Sequence, residues 1–316
     1  MSDLVIFHKQ LGDTVLLEPV LRKLARAADG VVDLLCPPVF APLISLMPHV
    51  RMAAGLRRWS PPAVWAYDWG GCTTRDATVT LCRDKNLLIP NGEWVRFRHR
   101  LAFQHRHVRP YLNRHISRYF WEETTLPGEQ GAFSHARLEM PPAAWSADFV
   151  AEEPYLLLNP VSAWKRKSYD AAKWAEVLAH ARDLGLPRVL MTGGNEAWQQ
   201  EHCAEIAAAA AAAGVQVGDV SGLTNLKQFM HLISRASLVL CIDGAAAHLA
   251  RGFQVPCLTV FGPSYTWMWH EPDELNVAVS AADFSSELRP NAAIVPAKHV
   301  LSALSTLAAR ADCKGR

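Results

Sequence analysis

No stretch of the 316-residue sequence runs apolar for about 18 positions, so no membrane-crossing helix is expected. The opening residues, MSDLVIFHKQLGD, have neither a basic start nor a long apolar run, and do not read as a secretory signal. The seven cysteines form no CxxC pair and are odd in number, which argues against a disulfide framework. Cys241 and Cys257 fall inside apolar runs, where a thiol serves as a small hydrophobe. A reducing, cytoplasmic setting is therefore expected. The fingerprint GxGxxG is also missing, which argues against a nicotinamide dinucleotide as ligand.

Acid is absent where base is plentiful. Between Trp94 and Trp121 there is no Asp or Glu, yet there are seven Arg (Arg96, Arg98, Arg100, Arg106, Arg109, Arg114, Arg118) and four His (His99, His105, His107, His115). A solvated helix face of that kind would lack its opposite-charge partners one turn away, so an anion-facing surface is equally in play. Charge is uneven over the chain as a whole. Met1–Val150 holds 18 Lys and Arg against 14 Asp and Glu; the remainder holds 14 against 16. The first half thus leans toward an anionic partner, while its overall charge is too low to make nucleic acid the preferred one.

The length allows two domains with a core each. Leu4–Phe7 reads as a buried strand, His8–Gly12 as a loop, and Thr14–Ala28 as a helix with apolar Val15, Leu16, Val20, Leu21 and Leu24 at helical spacing. Pro19 predicts that this helix starts near Glu18 or is kinked there. Val31–Cys36 is the next strand, and Pro37–Leu88 is irregular. Glu122–Pro154 is loop-rich and holds the expected linker, giving domains 1–150 and 151–316. Strands then alternate with helices: Tyr155–Leu158, Ala171–Leu184, Arg188–Thr192, Ala197–Ala213, Gln216–Asp219, Leu226–Ser234, Leu238–Ile242. A final helix, Val300–Arg310, is considered for a return onto the first domain. Such alternation in both halves predicts an α/β protein of two doubly wound parallel-sheet domains.

Four places carry chemistry. In VLCIDGAAAHLARGFQVPCLTVFGP (Val239–Pro263), a strand hands over to a short helix at Asp243-Gly244. The backbone N–H groups of Gly244, Ala245 and Ala246 lack helical partners there, and the helix dipole favours an anion. Asp243 is a candidate cap for that helix, and His248 lies one turn inside it. In NPVSAWKRKSY (Asn159–Tyr169), Ser162 and the cations Lys165, Arg166 and Lys167 follow a strand, where open α/β sheets bind ligands. In TGGNE (Thr192–Glu196), the glycines allow close backbone approach and Glu196 is placed to accept from ribose hydroxyls. Asp13, at the mouth of the first helix, is a candidate general base or simply a cap.

These motifs recur together in one family. LGDTVLLEPVLRKL (Leu11–Leu24), the Val161–Tyr169 loop, GGNE and DGAAAHLARGFQVPCLTVFGPS (Asp243–Ser264) make the chain resemble the heptosyltransferases of glycosyltransferase family nine, enzymes of the lipopolysaccharide inner core. The resemblance covers the first 30 or so residues and most of the second half. It implies a GT-B architecture, two Rossmann-like domains with an interdomain cleft, acceptor on the first and donor on the second. It further implies inverting transfer from ADP-heptose to an anionic lipopolysaccharide-precursor acceptor displayed at the inner membrane surface, with no metal and no other cofactor. The sequence has no D-x-D, in keeping with that implication.

By the same resemblance Asp13 is the catalytic residue and Lys167 the phosphate-binding lysine, with Tyr169 in place of the usual Trp. Glu196 is the ribose-binding acid, and Asp243–His248 falls on the family's D-[ST]-G-x-x-H. Ser162, Asp243, Gly244, Ala245, Ala246 and His248 complete the expected donor set. Arg96, Arg98, Arg100, Arg106 and Arg109 are the expected acceptor-binding residues. Gly244 and Ala245 depart from the Ser/Thr-Gly of the family, which removes a hydroxyl donor, and Val161 replaces a Gly. Another nucleotide sugar as donor, or a catalytically silent glycan- or nucleotide-sugar-binding protein, are the alternatives.

Overall fold

The opening strand Leu4–Ile6 (β1) lies inside its sheet, where the burial of Leu4 and Val5 requires it to be. A computed structural model describes residues 3–7, 9–28, 30–53, 63–68, 71–76, 81–89, 93–97, 114–124, 126, 131–146 and 154–312. The chain divides into two units, Met1–Glu139 and Met140–Arg316. Among the described residues no helix is long and apolar enough to cross a membrane.

In the first unit β1 is joined by Val32–Leu35 (β2), Val50–Met52 (β3), Ala63–Asp68 (β4) and Gly71–Asp76 (β5), in the order β3-β2-β1-β4-β5. The first four are parallel and β5 is antiparallel to β4. Leu81–Ile89 (β6) and Glu93–Phe97 (β7) form a separate antiparallel pair. The doubly wound parallel sheet expected of this half is present in its first four strands, with β5 added antiparallel at the edge. The short link from Asp68 to Gly71 permits only an antiparallel neighbour, since a parallel one needs a crossover of a dozen or more residues.

The helix after β1 runs from Leu11 to Ala27 (α1) with Pro19 inside it. This corrects the expected start near Glu18. Gln10 is the N-cap, its N–H donating to Asp13 Oδ2 at 3.1 Å in a capping box, so the helix is nucleated well before the proline. An interior proline costs about 3 kcal/mol. Five fully buried side chains, Val15, Leu17, Val20, Leu21 and Leu24, each return about 1.5–3 kcal/mol, so packing wins. Polar groups on α1 tie down later segments. Buried Glu18 accepts from the Arg137 N–H at 3.1 Å, Arg22 donates to Ser134 and His135, and Lys23 donates to the Trp121 carbonyl at 2.8 Å. Ala41–Ile44 (α2) and Ile116–Glu123 (α3) complete this unit's helices among the described residues.

The second unit is a six-stranded parallel sheet. Leu156–Asn159 (β8), Val189–Met191 (β9), Val217–Asp219 (β10), Leu238–Ile242 (β11), Cys257–Phe261 (β12) and Asn276–Ser280 (β13) lie in the order β10-β9-β8-β11-β12-β13. Counted within the unit this is 3-2-1-4-5-6, the doubly wound order of dinucleotide-binding sheets. β8, β11 and β12 are buried at every position, as strands covered on both faces must be. Helices Ala171–Asp183 (α4), Ala197–Ala212 (α5), Leu226–Arg235 (α6), Ala245–Gly252 (α7), Thr266–Trp269 (α8) and Ala297–Asp312 (α9) make the connections and cover. The alanine run of α5 ends at Gly214, whose φ of 74° is the left-handed stop that only glycine adopts cheaply. The final helix, considered for a return to the first domain, buries Val300, Leu304 and Leu307 in this unit's own core. β13 and α8 have no counterpart in the sequence reading.

Candidate functional site

Where a doubly wound sheet reverses its strand order, the loops leaving the two neighbouring strands diverge and open a crevice at their carboxyl ends. In the second unit that point lies between β8 and β11. The loops leaving them are Asn159–Tyr169 and Asp243–Gly244, two of the segments singled out from sequence.

Of the three cations in the first loop, Lys165 and Arg166 are exposed, and only Lys167 turns inward. A 3-10 turn, Lys165–Lys167, aims it. Its Nζ donates to Asp243 Oδ2 at 2.5 Å and approaches the Asp243 carbonyl oxygen at 3.4 Å, with the two side chains 15% and 4% exposed. Asp243 is thus not the helix cap it was a candidate for; its carboxylate is held by a lysine 76 residues away in sequence. Gly244 takes the N-cap position of α7, and no side chain caps the helix. The N–H groups of the first turn therefore open toward the same place as Lys167.

Gly244 has a φ of 179°, extended backbone that any residue adopts. A Cβ at this position would lie 3.6 Å from the Ser162 Cβ and 3.8 Å from the Ile242 carbonyl oxygen, ordinary contacts. Ser162 and the α7 mouth are therefore neighbours. The Ser162 hydroxyl accepts from the Trp164 N–H at 3.2 Å, and the Ser162 carbonyl accepts from Gln199 Nε2 at 2.8 Å. Ala245 is half-buried and Ala246 buried. His248 is buried one turn into α7, beside the Trp269 ring at 6.4 Å. Burial lowers its pKa to about 4, against the opposing pull of Asp243, with Arg251 and Lys167 lowering it further. It is neutral at pH 7.

Glu196 is the exposed N-cap residue of α5, leaving the carboxyl end of β9, and its side chain makes no cap bond. The adjoining strands are stitched by Asn159 Nδ2, which donates to Thr192 Oγ1 at 3.0 Å and to the Thr192 carbonyl at 3.2 Å. Tyr169 lies in the core, its ring edge-on to Trp174 and its hydroxyl donating to the Val295 carbonyl. Burial pushes its phenol up. Cys241 and Cys257 are buried as expected, 3.7 Å apart beside Thr259.

Asp13 belongs to the first unit and is described by itself. It is the third residue of α1, half-buried, and is the acidic member of the capping box. β1, which α1 follows, lies between β2 and β4, the strand-order reversal of that sheet. Of the arginines expected to hold an acceptor, Arg96 is on β7 opposite Arg83. Arg98, Arg100, Arg106 and Arg109 lie outside the described residues.

The profile of glycosyltransferase family 9 (heptosyltransferase) matches residues 94–294, well over half of the chain. The chain belongs to glycosyltransferase family 9. The matched span holds Lys167, Glu196 and Asp243–His248, while Asp13 precedes it. Three solved structures share the fold. The E. coli ADP-heptose lipopolysaccharide heptosyltransferase II is 17% identical, with 99% of this chain and 100% of that one covered at a TM-score of 0.73. E. coli heptosyltransferase WaaC with ADP is 16% identical, covering 99% and 100% at 0.59. The iron-containing dodecameric glycosyltransferase TibC from enterotoxigenic E. coli H10407 is 16% identical, covering 97% and 78% at 0.59. No curated protein sequence matches. The architecture is accordingly α/β of the GT-B class.

For a family 9 chain, three polar residues at the site were missed from sequence: Asn159, Gln199 and Arg251. Asn159 and Gln199 fix the loops around Ser162. Buried Arg251 donates to Asp273 Oδ2 at 3.0 Å and to the Glu271 carbonyl, anchoring the segment after α8. A polar residue closing an apolar strand, as Asn159 does, was the available signal for the first. Gln199 and Arg251 look like ordinary helix-surface residues in sequence.

Proposed function

We propose that this family 9 chain is an inverting, metal-independent heptosyltransferase that moves heptose from ADP-heptose to an anionic lipopolysaccharide inner-core acceptor in the cytoplasm, at the inner membrane face. The second unit takes the donor. The observation that carries this is the Lys167–Asp243 pair, which sets one partly buried ammonium at the strand-order reversal, beside an uncapped helix mouth. Diphosphate oxygens are the chemistry such a site suits: one cation, several N–H donors and the positive end of a dipole. Glu196 is assigned to the ribose hydroxyls. His248, neutral and buried, supports the α7 mouth. Asp243, an anion, holds Lys167 rather than a phosphate.

The first unit takes the acceptor. An acceptor hydroxyl is a poor nucleophile until its proton is being removed, and Asp13 is assigned as the carboxylate that removes it. The anomeric carbon is attacked on the face opposite the bond to ADP, which inverts its configuration. Lys167 and the Gly244–Ala246 amides stabilise the charge that gathers on the departing diphosphate, the work a metal ion does elsewhere. The arginines of Trp94–Trp121 are assigned to acceptor phosphates and carboxylates, which Arg binds in bidentate fashion.

Transfer from ADP-heptose to a Kdo-bearing lipid A acceptor tests the assignment, with wild type and Asp13→Asn compared in the presence of a chelator. Losing a positioned base costs about 10²–10⁴-fold in rate. Asp13→Asn should lose that much of kcat while ADP binding and folding stay near wild type. Full activity in a folded Asp13→Asn would refute the base, and loss of wild-type activity on chelation would refute metal independence. ADP binding without transfer to any acceptor would favour the silent binding protein instead.

A further inference from the structure

The segment leaving β12, Gly262–His270, reads GPSYTWMWH, with aromatics at alternate positions Tyr265, Trp267 and Trp269. β12 pairs in register with β11, Cys241 opposite Thr259 and Ile242 opposite Val260, so this segment departs beside the Gly244 mouth. Trp269 lies beside His248, one turn into α7, with the ring centroids 6.4 Å apart. The rings of Tyr265 and Trp267 stack at 5.4 Å with 24° between their planes, and the Arg289 guanidinium lies 5.3 Å over Tyr265. None of the three aromatics is buried, in contrast to Trp174 in the core of the same unit.

The segment is also held in place. Thr266 Oγ1 donates to Ser280 Oγ at 2.8 Å, the His270 N–H donates to the Thr266 carbonyl at 2.8 Å, and Arg251 anchors Glu271 and Asp273. All three rings are half-buried, and three aromatics gathered in one segment make a patch rather than scattered single side chains. A sugar ring is what fits. Its C–H faces are apolar and slightly positive, and an aromatic face is negative.

We propose that Tyr265, Trp267 and Trp269 form a carbohydrate platform that receives the sugar ring of the nucleotide-sugar donor, an inference that rests on the donor-site reading above. The diphosphate at the α7 mouth then directs its sugar outward over the aromatics, and Arg289 packs on the Tyr265 ring and holds it for Trp267 to stack on.

Calorimetric titration of wild type and Trp267→Ala with ADP and with ADP-heptose tests it. Trp267→Ala should leave the ADP Kd within about twofold and raise the ADP-heptose Kd about three- to tenfold, the scale of one aromatic contact. Trp267→Phe should restore most of the loss. Equal weakening of both ligands would mean that the ring meets the nucleotide, and no weakening of either would mean that it meets nothing; each overturns the platform. So would wild-type ADP-heptose binding unaltered by both Trp267→Ala and Tyr265→Ala. If Trp267→Ala does not fold, Trp267→Leu keeps the apolar bulk without the π face and gives the same comparison. Failure of wild type to bind ADP would instead overturn the donor reading itself, and the platform with it.

Discussion

Replacing Asp243 with Asn separates two roles that the Lys167 site is proposed to join. The Lys167–Asp243 contact is 2.5 Å, with side chains 15% and 4% exposed. Removing one partner from a fully buried ion pair costs about 3–5 kcal/mol. Lys167 retains enough access to water to be partly resolvated, so we expect about 1–3 kcal/mol for Asp243→Asn. For a unit of this size that is a fall in Tm of roughly 2–12 °C. Binding should move the other way. A diphosphate arriving at Lys167 must share the ammonium with the carboxylate and is repelled by it. Asp243→Asn removes that repulsion and leaves the cation, so ADP should bind as tightly as to wild type or up to about tenfold tighter. Lys167→Ala should instead lose about 1.5–3 kcal/mol of ADP binding, the worth of a hydrogen bond to a charged group. Urea denaturation with ADP calorimetry on both variants decides the matter. If a folded Asp243→Asn loses ADP binding as severely as Lys167→Ala, the carboxylate serves the ligand itself and the division of roles is wrong.

Three further expectations follow from the same geometry. Gly244→Ser fits the extended backbone and the 3.6 Å space beside Ser162, and supplies the hydroxyl that the family motif carries, so ADP affinity should rise about three- to tenfold; a loss measured by calorimetry would show that the cradle needs glycine. His248 has a folded pKa of about 4 against an ordinary 6.5, so the unfolded chain binds more protons between those values. Its stabilisation is complete above pH 6.5 and is lost as pH falls toward 4, on the order of 3 kcal/mol. Urea melts at pH 5 and 7 should show the loss in wild type, and His248→Gln should flatten it. Acceptor binding by the arginine-rich segment should weaken with added salt more steeply than donor binding does, and a salt-insensitive acceptor affinity would remove Arg96 and its neighbours from that role.

The second unit was readable from sequence because its signals are local. An apolar run ending in Asp-Gly, a basic turn after a strand and a glycine pair before a helix each declare a strand's carboxyl end, and the strand order then brings those ends together. What was misread depends on partners far along the chain. Asp243 looked like a cap because nothing adjacent to it reveals that Lys167 will claim its carboxylate. Pro19 looked like a helix start because the burial that outweighs it comes from strands and segments before and after α1. β5 reversed direction for want of linker length, a constraint visible only once β4 and β5 are both located. Tyr265, Trp267 and Trp269 were not singled out from sequence, because what they stand beside depends on β12 pairing with β11.

On the mechanism proposed above, Asp13 meets a structural and a chemical demand together. As the third residue of α1 it accepts the Gln10 N–H, and a carboxylate there is favoured by the helix dipole. A carboxylate offers about four acceptor positions, so a cap bond does not by itself consume its basicity. Asn at the same position keeps a cap acceptor and loses the proton affinity. That asymmetry makes Asp13→Asn more informative than Asp13→Ala, which removes the cap and the base at once. The cap role would also give the proposed base its precision, because a side chain tied to the first turn of a helix buried along most of its length has few rotamers left. Its position repeats that of the Lys167 loop: each lies after the strand at which its own sheet reverses order, β1 in the first unit and β8 in the second. Two sheets wound on one plan thus put different groups at equivalent points, a carboxylate in one and an ammonium in the other.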